Sequence, residues 1–234
     1  MKKLVLSVTL LLVLSLSAFA CGDDEEGGEE VDDAAPAQAA SRSLPKTLVA
    51  IEGASEDAID QVLSKNWTAV SKAEATMAKN WTDFKASSDG SKASADLRKA
   101  MDKALADLKT AVATKSELPA RQAANDISKA VTDAFDLFPS KIPTDVGRLD
   151  YLERQVVIDA DSGKWPAVET DLSQTMEVFQ RVKPGLVAAG GAKQAASFEA
   201  SLAKQKTLAA TKDKAIITEA NTALELVDAI ETAY

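Results

Sequence analysis

The chain of 234 residues contains no histidine, a single cysteine, Cys21, and only 5 % aromatic side chains. Without histidine there is no Ser-His-Asp triad, no imidazole general base and no His-ligated haem or zinc. One cysteine permits neither an internal disulfide framework nor a thiolate zinc cluster. Basic side chains are in the minority, 27 Lys plus Arg against 36 Asp plus Glu, and a net charge of −9 argues against nucleic acid as a partner. What remains is 46 % hydrophobic and rich in alanine. That composition favours close-packed helices, because Ala has the highest helix propensity.

The acidity is local. Asp23 to Asp33 carries eight acidic side chains and no base; without this run and Lys2-Lys3 the remainder sits near −3. Residues 1–20 open with Lys2-Lys3, continue as LVLSVTLLLVLSLSAFA and end on small residues before Cys21. This is the layout of a secretory signal peptide, too short and too acidic on its far flank for a membrane-spanning anchor. Residues 21–43, with their acids, Gly, Pro and Ala, have nothing to bury and read as a tether.

From Leu44 onward the apolar spacing is helical almost throughout. A first helix is expected from the cap Ser55 to Lys65, and a second carries Trp67, Val70, Met77, Trp81 and Phe84. A third carries Leu97, Met101, Leu105, Leu108 and Val112, and a fourth follows Ser116 with Ile127, Val131 and Phe138. Pro139 and Pro143 break the chain. Four more helices follow: one capped by Thr144, one opened by Trp165-Pro166 and bent or ended at Pro184, one after Gly190-Gly191 with Phe198 and Leu202, and one bearing Ile216 to Ile230.

A shift of 98 positions lays Trp67 on Trp165, Ala69-Val70 on Ala167-Val168, Trp81 on Phe179 and Lys85 on Lys183. Weaker matches follow at 97 (Leu105 on Leu202) and 96 (Ala124-Asn125 on Ala220-Asn221). The expected fold is therefore all-α, an antiparallel helical bundle of two tandem repeats of about four helices each, over 44–140 and 141–234.

Leu16 to Cys21 resembles the signal of bacterial lipoproteins. The resemblance implies that Cys21 becomes the lipid-modified N-terminus, palmitate among its acyl chains, on a protein held at the outer membrane and facing the periplasm. Ala18-Phe19-Ala20 also suits ordinary signal peptidase, which would release a soluble protein. The duplicated helical plan resembles imelysin-like proteins in architecture alone. Their His- and Glu-containing motif has no counterpart here, so neither residues nor an iron function carry over.

The densest charged and aromatic stretch of the folded part runs from Arg148 to Asp161. Within it Arg148, Tyr151, Glu153 and Asp159 are the candidate ligand-binding residues, against an exposed face held by pairs such as Asp150 with Arg154. Trp67 and Trp165 read as closures of the bundle ends. Met77, Met101 and Met176 read as core fillers, and Asn125 and Asn221 as register-setting polar residues beside the apolar stripes. No cofactor, metal or catalytic residue is expected. The expected protein is a non-catalytic, lipid-anchored bundle that presents a binding surface to an envelope partner. The alternative is a periplasmic solute- or metal-binding protein using a carboxylate-lined cleft between the repeats, which would leave a concave pocket around Arg148 to Asp161.

Overall fold

The computed structural model describes residues 44–234, and the signal, Cys21 and acidic-run readings lie outside the described residues. All eight long elements among them are α-helices: α1 Lys46–Leu63, α2 Trp67–Ala86, α3 Ala95–Thr114, α4 Glu117–Phe135, α5 Thr144–Asp161, α6 Trp165–Ala188, α7 Ala192–Ala210 and α8 Ala215–Glu231. A short 3-10 turn, Gly90–Lys92, sits between α2 and α3.

Packing follows the chain closely. α1 lies against α2 and α4, and α3 against α4 and α2, which closes a ring of four; α5 to α8 close a second ring in the same way, and α4 lies on α5. The first ring buries one continuous core from Leu48 to Phe138. At its centre Trp81 stacks on Phe84, centroids 5.4 Å apart, and its indole N–H donates to Asp102 at 2.6 Å. The second ring buries two separate clusters, one around Phe179 and Phe198 and one around Val156, Val168 and Ile216.

α1 starts well before the expected Ser55. Leu48 and Ile51, both fully buried, continue upstream the stripe formed by Ala58, Ile59 and Val62. Their burial, roughly 1.5–3 kcal/mol each, outweighs the roughly 1 kcal/mol that Gly53 costs inside a helix. Ser55 is not a cap: its hydroxyl donates to the Glu52 carbonyl in mid-helix. Thr144 likewise is the first helical residue, with Pro143 as cap. Pro45 stands in the same role before α1, with nearly the same backbone angles.

Pro184 neither ends α6 nor prevents four further residues of helix. Leu186 is fully buried beyond it, and the Tyr234 hydroxyl donates to the Val182 carbonyl one turn back, closing over Gly185. Two further expectations are corrected. Met176 is 40 % exposed rather than a core filler, whereas Met77 and Met101 are buried. Asn221 is exposed, so it is not the buried partner of Asn125. Asn125 is buried and donates to Gln155 and to the Tyr151 carbonyl, across the seam to α5. Trp67 and Trp165 pack half-buried on the edges of their cores, as closures should.

Candidate functional site

All four candidate residues stand on α5, but they do not meet. At 1.5 Å per residue, Arg148 and Asp159 lie roughly 16 Å apart along the axis. Arg148 is tied into the α4–α5 corner by Asp145 at 2.9 Å, Asp133 at 3.4 Å and Asp136. Tyr151 is half-buried beneath the Lys129 ammonium, 5.8 Å from its ring centre. Asp159 is buried and accepts from Gln155 at 2.9 Å and Lys164 at 3.2 Å. Beside it, burial and the charge of Asp159 push the Asp171 carboxyl up to about 7.

Glu153 points the other way, into the second ring. It is fully buried and accepts from Gln205 Nε2 at 2.9 Å across the ring's diagonal, since α5 and α7 are not neighbours. Burial pushes its carboxyl up to about 8, and the charges of Asp150 and Glu219 add to this.

The expected Asp150–Arg154 pair is present, but Asp150 is buried and Arg154 half-buried rather than on an exposed face, and Arg154 gathers far more than one acid. Its guanidinium also reaches Glu56 of α1 at 3.0 Å, and the charges of Glu52 on α1 and Asp228 and Glu231 on α8 lie within its influence. Burial first, then these crowded carboxylates, push Glu52 and Glu231 up to about 7. Periodicity could not find this cluster, because its acids arrive from three helices. Among the described residues no group of three or more acidic side chains is arranged to hold a metal ion.

Three cavities among the described residues lie away from the Arg148–Asp161 stretch. One of about 640 Å³ is an open groove along α1 and α2, lined by Gly53, Gln61 and Lys72. Two adjoining ones of about 270 and 240 Å³, sharing Met176 and Lys206, form a groove between α6 and α7.

The feature that sequence reading missed most completely is at the turn end. Five helix-to-helix turns have one construction, four of them at α1–α2, α3–α4, α5–α6 and α7–α8 and the fifth at α6–α7, at the opposite end. Each places one residue in the left-handed region: Lys65 (φ 57°), Lys115 (50°), Gly163 (72°), Lys212 (53°) and, at α6–α7, Gly190 (94°). In each, that residue's N–H returns to the carbonyl three back, and the next N–H to the carbonyl five before it, as Lys65 to Val62 and Asn66 to Gln61. The preceding hydroxyls, Ser64, Thr114, Ser162 and Thr211, all donate to the carbonyl four residues back.

Antiparallel neighbours bring the first four of these turns to one end of the bundle and leave the Gly190 turn at the other. Arg121 at the start of α4 meets Asp161 at the end of α5 at 2.9 Å, and Lys214 donates to the Asp161 carbonyl at 3.1 Å. Glycine is the residue this backbone favours, and a side chain there costs about 1 kcal/mol. Three of the four positions at this end nonetheless carry lysine, each exposed and none within ion-pair distance of a carboxylate among the described residues. Leu63 and Leu118, 53 % and 39 % exposed, flank them, with Trp67 and Trp165 at the first positions of α2 and α6.

Compared with family models, with curated proteins and with solved structures, the chain matches none.

Proposed function

We propose that the protein is a non-catalytic, extracytoplasmic helical bundle, lipid-anchored through Cys21, that docks its turn end on an acidic surface of another envelope protein. The carrying observation is the repeated left-handed lysine. A residue held in an unfavourable backbone region is retained where its side chain is needed, and here the costly choice recurs at Lys65, Lys115 and Lys212 on one end. Exposed Leu63 and Leu118 beside those charges supply apolar anchors within a basic rim, the usual anatomy of a protein-docking surface.

The tandem-repeat architecture belongs to the same proposal. Shifting by 98 superimposes the full span of α1 on that of α5, and Leu44-Pro45 on Ile142-Pro143. α2 and α6 both start on tryptophan, and α3 and α7 start 97 apart. The four left-handed turns of the lysine-bearing end recur at about half that period, which supports the helical hairpin as the smaller unit. The chain enters α1 at the end away from these turns, about 27 Å distant for 18 helical residues. An anchor on the N-terminal side therefore leaves the basic end free for a partner rather than for the anchoring bilayer.

The reading is tested by placing a photo-crosslinking residue at Leu63 or Leu118, with Ala106 on the exposed flank of α3 as control. Adducts to one acidic envelope protein from the two end positions, absent from position 106, are expected. Equal adducts from all three, or none, would refute end-on docking.

A further inference from the structure

The second ring does not bury its centre as the first does. Between its two apolar clusters lies a layer of Glu153, Thr175, Ser201, Gln205 and Glu219, all buried. At the repeat shifts of 98, 97 and 96 the first ring holds Ser55, Met77, Ala104, Leu108 and Ala123 in these places, also buried and within or beside one continuous core. The fold therefore does not require a polar layer at this height. One copy is dry and the other carries two acids and an amide, whose burial is costly unless each is fully partnered.

They are not fully partnered. Ser201 donates to Glu219 at 2.8 Å, Lys204 pairs with Glu219 at 2.5 Å, the Thr175 hydroxyl donates to the Asp171 carbonyl, and Gln205 Nε2 donates to Glu153. The two atoms left over, Glu153 Oε1 and Gln205 Oε1, are both oxygens with no partner, while Gln205 Nε2 uses one of its two N–H groups on Glu153. An ammonium group placed here donates N–H bonds to both oxygens, and its positive charge draws the proton off Glu153, turning the carboxyl into the ionised partner that such a bond favours.

The groove between α6 and α7, apolar along Leu172, Met176, Phe179 and Leu202 with Glu169, Glu199 and Lys206 also lining it, lies beside the layer. Thr175 falls between Leu172 and Phe179 on α6, and Gln205 between Leu202 and Ala209 on α7, and those four neighbours line the groove. α6 and α7 are also the least closely packed neighbours of this ring.

We propose that the second ring is a binding site for a small primary ammonium compound, its charged end on Glu153 and Gln205 and its apolar body in the α6–α7 groove. The proposal rests on the repeat reading but not on the docking reading, and it stands or falls without any envelope partner. The test is calorimetric titration of residues 44–234, whose helices close their own cores, with hexylammonium and with hexanol and hexanoate as matched probes. Saturable binding of hexylammonium alone is expected, weakened about tenfold or more by Glu153→Gln, the loss of one charge-assisted bond. Met176→Trp, which fills the groove without touching the layer, should abolish it, and it decides the matter if Glu153→Gln does not fold. No binding of hexylammonium, equal binding of hexanol, or binding untouched by both variants would overturn the proposal. In that case a bridging water, or a proton shared between Glu153 and Gln205, completes the layer.

Discussion

Lysine in the left-handed region is a separable cost at single residues. Replacing Lys115 by glycine relieves the backbone without disturbing the turn's two return hydrogen bonds, which are made by main-chain groups. A gain of roughly 1 kcal/mol is expected, about 2–4 °C in Tm for a chain of this size, and the same holds at Lys65 and Lys212. Thermal unfolding of each variant checks it. Gly90 is the opposite case: a Cβ there would lie 2.2 Å from the Phe84 carbonyl oxygen, so Gly90→Ala should destabilise by several kcal/mol while Gly53→Ala, with open space around it, should stabilise by roughly 1. Trp81→Ala loses a fully buried indole, its bond to Asp102 and its stack on Phe84, and should cost about 3–5 kcal/mol in denaturant unfolding.

At the scale of helices, most boundaries were legible because proline, glycine and apolar spacing act within one element. Trp67 and Trp165 do start helices, and Ser116 and Gly190-Gly191 mark real boundaries. The start of α1 was missed because Leu48 and Ile51 reveal their stripe only once α4 and α2 are in place to bury it. On α5 the charged run was visible, but its division was not. The helix turns Glu153 toward Gln205 and Arg148 toward Asp136, so the cleft expected around the run does not form as one site. Which acids crowd Arg154 depends on α1 and α8 lying on either side, information that no local window contains. The left-handed turns escaped notice for a simpler reason: glycine announces such a position, and lysine does not.

Over the whole molecule the buried carboxylates set the response to pH. Glu52 and Glu231 are raised to about 7, Asp171 to about 7 and Glu153 to about 8, from 4.5 for Glu and 3.8 for Asp. A carboxyl whose folded pKa lies above its unfolded one holds its proton more tightly when folded. The stability this contributes is fully present below the unfolded value and is lost as pH rises through about 7 to 8. The protein should therefore be more stable at pH 5.5 than at pH 8.5, by on the order of 2 kcal/mol or about 4–8 °C in Tm. Glu153→Gln should flatten part of that slope by raising Tm at the alkaline end only. A Tm that rises from pH 5.5 to 8.5 would contradict the protonated interior.

The most direct measurement of the docking account is made on the triple variant Lys65→Gly, Lys115→Gly, Lys212→Gly. It removes the three charges while making every turn easier to fold, so lost binding cannot be blamed on lost structure. The account predicts a higher Tm together with loss of the crosslinked envelope complex. A triple variant that is more stable and still forms the complex at full yield would show that the lysines stand in the left-handed turns for some other reason, and the docking surface would have to be sought elsewhere on the bundle.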